Sequence, residues 1–115
     1  SDLPALPWAR RSLYLKVRDR ESYAFAAASA AVALDMDRNT VRGARIALGG
    51  VATVPWRARE AEAALAGQEL TEDAARRAAE AAFRGARTHG HNDFKPELGR
   101  RTLVRALLEA GRMEV

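Results

Sequence analysis

The polar cluster that most invites a chemical reading is His89-Gly90-His91-Asn92-Asp93. Two imidazoles two residues apart, with a carboxylate close behind, are the beginning of a zinc or nickel site. A catalytic zinc takes three protein ligands and keeps one open position, and no third strong ligand stands at a matching spacing. The cluster is therefore expected to be a polar loop between helices, with Asn92 or Asp93 making a turn or capping the next helix. Ser12, Ser22 and Ser29 lie outside any G-x-S-x-G context, so no nucleophile elbow is present. Glu60 and Glu62 sit two positions apart on an expected helix, where their carboxylates diverge and form no acid–base pair. Gly49-Gly50 is neither a Walker loop nor a G-x-G-x-x-G turn; a bend or bulge between strands is its expected use. The absence of cysteine excludes disulfides, thiolate metal centres, iron–sulfur ligation by this chain and cysteine nucleophiles. One stretch retains chemical interest. Tyr14 to Glu21 combines an aromatic, two arginines and Lys16, which with Lys95 is one of only two lysines in the chain. An ammonium is a compact point charge that a guanidinium is not. On the residues alone the stretch is a solvated charged face, with Asp19 and Glu21 balancing the arginines.

The elements that must position these groups show in the apolar spacing. From Tyr23 to about Val54 apolar residues alternate. Ala28, Ala30, Val32, Leu34 and Met36 fall on one face of an extended chain, and Ser29, Asp35 and Asp37 on the other. Alanine favours helix, but the turn formers of 36–40 and the renewed alternation of Ala44, Ile46 and Leu48 around Arg45 make a β-hairpin. After Gly49-Gly50, a short apolar run and Pro55, three helices are expected. The first covers about Arg57 to Ala66, with Ala58, Ala61 and Leu65 on one face and Gly67 in the C′ position. The second has Thr71 as N-cap, acidic residues in its first turn, and Arg84 and Arg87 towards its end. The third has Pro96 near its start and a stripe of Leu103, Ala106, Leu107 and Ala110. Trp8 and Trp56, each after a proline, are expected at the edge of the core. Residues 1–12 form an irregular lead-in, and Arg10 to Arg20 is open between a short helix and an extended strap.

The chain has 115 residues, 48% of them apolar and 30% charged. That length and balance fit a single folded domain, 1–115, of α+β class: an antiparallel three- to four-stranded sheet followed by three helices packed on one face. No run approaches 18 apolar residues, so no membrane span is expected. The start, Ser1-Asp2-Leu3-Pro4, has neither a secretory signal pattern nor an initiating methionine, which points to a fragment of a longer protein. A net charge of +4 makes a free-standing basic interaction module, possibly for nucleic acid, the alternative reading. Against it, the arginines are spread among acidic residues without a like-charge block, and aromatics are not interleaved with them. No nucleic-acid partner is expected.

Five segments share an order: YLKVRDRESYAFA at 14–26, RIALGGV at 45–51, PWRAREAEAALAGQEL at 55–70, HGHNDFK at 89–95 and RRTLVRAL at 100–107. In this order and spacing the chain resembles the C-terminal domain of the FAD-binding (medium) subunit of the molybdenum hydroxylases. That family includes xanthine dehydrogenase, carbon monoxide dehydrogenase and aldehyde oxidoreductases; HGHNDFK is similar to the bacterial aldehyde oxidoreductase branch. The resemblance covers nearly everything from residue 12 to 110 and implies the same sheet-then-helices fold. It also implies a role in an oxidoreductase whose partner subunits hold a molybdenum cofactor and iron–sulfur clusters, and whose FAD passes electrons to an external acceptor. The flavin would be held mainly by Gly-rich segments of a preceding N-terminal domain of the same subunit, which this sequence does not contain. The present domain would close one side of the flavin site, be inactive alone, and contact the cofactor through Lys16. Whether the parent enzyme is cytoplasmic or periplasmic stays open, and His89 and His91 receive no flavin role.

Overall fold

The alternation of small apolar side chains is the feature that decides the architecture. In the computed structural model, residues 11–19, 26–50, 55–88, 90 and 96–113 are described. They form β1 (Arg11–Asp19), β2 (Ala26–Asp37), β3 (Thr40–Gly49), β4 (Trp56–Arg57), α1 (Arg59–Leu65), α2 (Glu72–Thr88) and α3 (Pro96–Gly111). The four strands make one antiparallel sheet in the order β1-β2-β3-β4. The segment that the sequence left between helix and strap is an edge strand. It begins at Arg11, inside the expected irregular lead-in; Trp8 and the rest of that lead-in lie outside the described residues.

Register explains which residues meet. Leu15, Ala30 and Leu48 stand in one cross-strand row, and Leu13, Val32 and Ile46 in the next. These rows point inward, and the β2 and β3 members are fully buried. The hairpin turns at Arg38 and Asn39, with Arg38 at φ 57°. Asp35 faces Gly43 while Met36 faces Val41, so Arg42 is the extra residue of a β-bulge, and its guanidinium reaches Asp35 at 2.8 Å.

The helices cover the inward rows. α1 packs on β3, α3 packs on β1 and β2, and α2 lies across α1 and α3. Close packing is possible because the buried face of α2 is almost entirely alanine. At Gly85 an added β-carbon would sit 2.5 Å from the Glu60 carboxyl, so α1 and α2 approach at a residue without one. The α3 stripe is as expected: Leu103, Ala106, Leu107 and Ala110 are all buried. Termini are capped by recognisable devices. The Ala74 N–H donates to Thr71 Oγ1 at 3.1 Å, Gly67 follows α1 at φ 78°, and Arg11 donates to the Gly111 carbonyl at 2.8 Å, a cation at the negative pole of α3.

Arg57 differs from expectation: it belongs to β4, and α1 begins at Arg59. The reason is the exposed edge of β3, whose polar groups need partners. Arg57 and Trp56 pair with Ala47 and Leu48. Beyond them, the Ala58 N–H donates to the Ile46 carbonyl at 2.8 Å, and the α1–α2 connection runs along Val41, with the Val41 N–H donating to the Gln68 carbonyl at 2.8 Å.

Candidate functional site

The inward rows leave a second set of rows facing away from the helices. They are Lys16–Ser29–Gly49, Tyr14–Ala31–Ala47–Arg57, and Ser12–Ala33–Arg45. Lys16, Tyr14, Arg45 and Arg57 are exposed, and the alanines between them are half-buried. The face is therefore a low floor with tall side chains at its margins. A shallow concavity of about 480 Å³ lies on it, lined among others by Tyr14, Ala31, Ala33, Arg45, Ala47 and Arg57. Tyr14 and Arg57 stand three strand spacings apart, about 14 Å. At Gly49, which is buried, an added β-carbon would lie 2.9 Å from Ser29 Oγ and 3.8 Å from Pro55, so the close approach at this end of the row needs a residue without one.

One margin is fixed by a buried carboxylate. Glu62, on α1, accepts the Ile46 N–H at 2.8 Å and so takes the place of a strand partner. Its two oxygens also receive Arg57: Nε at 3.0 and 2.9 Å, and Nη2 at 2.8 Å. This two-pronged geometry is one that only arginine makes. Hydrogen bonding to Glu62 raises the Arg57 pKa above its ordinary value, and burial opposes the shift. The carboxylate is nearly enclosed, whereas 41% of the Arg57 side chain remains accessible.

Of the sequence candidates, Lys16 lies on this open face, and Ser12 and Ser29 lie on it too. Ser22, His89, His91, Asn92 and Asp93 are outside the described residues. Among the described residues no group of three potential metal ligands occurs. Glu60 and Glu62 diverge as expected, Glu60 exposed and Glu62 buried. Sequence reasoning missed the Glu62–Arg57–Ile46 junction. Five positions apart on one helix, Arg57 and Glu62 would not face each other; the pair forms because the chain turns from strand to helix between them. No local signal in the sequence marked it, because the pairing depends on β3, a strand distant in sequence.

With the face laid out, its relatives can be compared. The family profile described as the CO dehydrogenase flavoprotein C-terminal domain matches residues 13–110. The chain belongs to this family. The aldehyde oxidoreductase FAD-binding subunit PaoB of Escherichia coli (strain K12) is 39% identical over 104 residues, which is 90% of this chain and 30% of that protein. Quinoline 2-oxidoreductase from Pseudomonas putida 86 superimposes with a TM-score of 0.67 at 28% identity, over 88% of this chain and 37% of that one. A carbon monoxide dehydrogenase from Hydrogenophaga pseudoflava, which lacks the Mo-pyranopterin moiety of its cofactor, gives a TM-score of 0.61 at 30% identity. It covers 86% of this chain and 36% of that one. The chain thus spans about a third of the length of these relatives. The sheet-then-helices architecture expected from the resemblance is the one found.

Proposed function

We propose that this chain is the C-terminal domain of the FAD-binding subunit of a molybdenum-containing oxidoreductase of the xanthine dehydrogenase and aldehyde oxidoreductase type, where it closes one side of the flavin site. The observation that carries the reading is the position of Lys16, exposed on the open face of the sheet at the β1 end of the row Lys16–Ser29–Gly49.

The residues present fit a lid better than a cradle. The face offers an ammonium and a smooth floor, while the described loops contain no glycine-rich turn that wraps a pyrophosphate. The flavin, when bound, supplies the two-electron chemistry that links the molybdenum and iron–sulfur partners to an external acceptor. Lys16 supplies a hydrogen-bond donor and a positive charge beside the ring system, which favours negative charge developing there. The alanine floor supplies shape and excludes water. The molybdenum cofactor and iron–sulfur clusters belong to partner subunits, consistent with a chain free of cysteine.

The test is Lys16→Ala in the parent enzyme, with Lys16→Arg beside it. Flavin retention or the rate of flavin reoxidation falls in the first and is partly restored in the second, with the fold unchanged by circular dichroism. Wild-type flavin content and acceptor kinetics in Lys16→Ala contradict the reading.

A further inference from the structure

The concavity on the open face does not centre on Lys16. It spreads over the two neighbouring rows, on a floor of half-buried Ala31, Ala33 and Ala47, and the Arg57–Glu62 pair closes the side furthest from β1. Its volume of about 480 Å³ is within the range of small-molecule sites. The two members of the pair are engaged to different degrees. Glu62 is 9% exposed, and its oxygens accept the Ile46 N–H and both prongs of Arg57. Arg57 commits only Nε and one hydrogen of Nη2 to that fork, and 41% of its side chain stays accessible. Nη1 and the second hydrogen of Nη2 lie outside the fork, at the outer end of a guanidinium whose plane the carboxylate fixes.

We infer that Arg57 is a second cofactor-contacting residue of the proposed flavin site, and that Glu62 is the positioning residue that holds it there. The inference rests on the flavoprotein reading and adds to Lys16 a contact from the opposite edge of the sheet. Because the pair is neutral, it offers directed hydrogen bonds and no excess charge. A donor fixed before its ligand arrives needs less ordering on binding, and such donors act most strongly where negative charge develops. The acceptor that suits it is a carbonyl oxygen conjugated with the flavin ring, since electron density on such an oxygen grows on reduction. Tyr14 and Arg57 bound the row at about 14 Å, which leaves room for a flat ring between them. A phosphate of the cofactor suits the same donors less well, because the Glu62 carboxylate beside them repels an anion. A tie between strand and helix alone would need no open guanidinium end beside the concavity.

The experiment is a redox titration of the flavin in the parent enzyme, read as the difference in absorbance between FAD-loaded and FAD-stripped protein. Wild type is set against Arg57→Lys, Glu62→Asp and Lys16→Ala. A lysine at 57 keeps the cation but cannot grip Glu62 and reach the ring together. Its hold on reduced relative to oxidised flavin is expected to weaken at least tenfold, a fall of about 30 mV in the two-electron midpoint potential. Glu62→Asp keeps the charge of the pair and draws the fork back by one methylene, so its potential should fall in the same direction by less. A purely structural ion pair would lower the thermal stability of the enzyme and leave the potential where it was. Wild-type potentials in both variants with FAD loaded, or an upward shift in either, overturn the proposal. Should Arg57→Lys fail to assemble, Glu62→Asp decides by the same reading. A shift in Lys16→Ala with none in the other two sinks this inference and spares the flavin reading; potentials unmoved in all three sink both.

Discussion

Glu62 on α1 accepts the backbone N–H of Ile46 on β3 at 2.8 Å, so a helix side chain completes the edge of a sheet. The same carboxylate grips Arg57 and ties β4 to both elements. Removing it orphans a buried donor, a loss of about 1–3 kcal/mol. Glu62→Ala is therefore expected to lower the thermal midpoint by several degrees. Glu62→Gln, which keeps an acceptor for Ile46, should lower it less. A melt of Glu62→Ala that overlays wild type, or a Gln variant worse than Ala, contradicts this role. The raised Arg57 pKa places loss of its contribution above the ordinary titration of arginine, so ionic strength rather than alkaline pH is the lever on this pair.

The two faces of the sheet should respond oppositely to truncation. Leu107 is fully buried under β1 and β2, and Leu107→Ala is expected to cost about 2–5 kcal/mol. Tyr14→Ser on the open face should change the stability of the chain by no more than about 0.5 kcal/mol. Chemical denaturation of both variants checks the pair. A large loss at Tyr14 would mean that the open face is covered by the chain itself.

Gly67 follows α1 at φ 78° with nothing near the place a β-carbon would occupy. Gly67→Ala is therefore a purely backbone change, expected to cost about 1–2 kcal/mol, with Gly67→Asn milder because asparagine tolerates this region. Equal midpoints for wild type and Gly67→Ala by circular dichroism would contradict the left-handed cap.

If the chain acts as the proposed lid, it should not hold FAD alone. Titration calorimetry of FAD into the chain is expected to show weak binding or none. Tight, stoichiometric binding would mean that a phosphate site exists within these residues.

Much of the architecture was legible because the physics behind it is local. Alternation from Ala28 to Leu34 fixed which face of β2 is buried, and Thr71, Gly67 and the Leu103–Ala110 stripe marked helix ends and faces through capping and periodicity. Arg11 to Asp19 was ambiguous because Leu13, Leu15 and Val17 alternate within a charged stretch whose burial depends on α3, a distant element. The start of α1 was misplaced by two residues because helix propensity at Arg57 yields to edge pairing with Ala47, which no local pattern carries. The Glu62 junction was hidden for the same reason: its partner Ile46 lies sixteen positions away. The open face was half legible. Lys16 stood out by residue type, whereas the rows that surround it with alanine and set Arg57 and Tyr14 at its margins exist only once register is known.

The central claim is that the face bearing Lys16 lies against the flavin in the assembled enzyme. Acylation of lysine amines, mapped by mass spectrometry in the assembled enzyme before and after FAD is removed, measures it directly. Slow modification of Lys16 with FAD bound and fast modification once it is stripped is the predicted result; the same rate in both states contradicts the account.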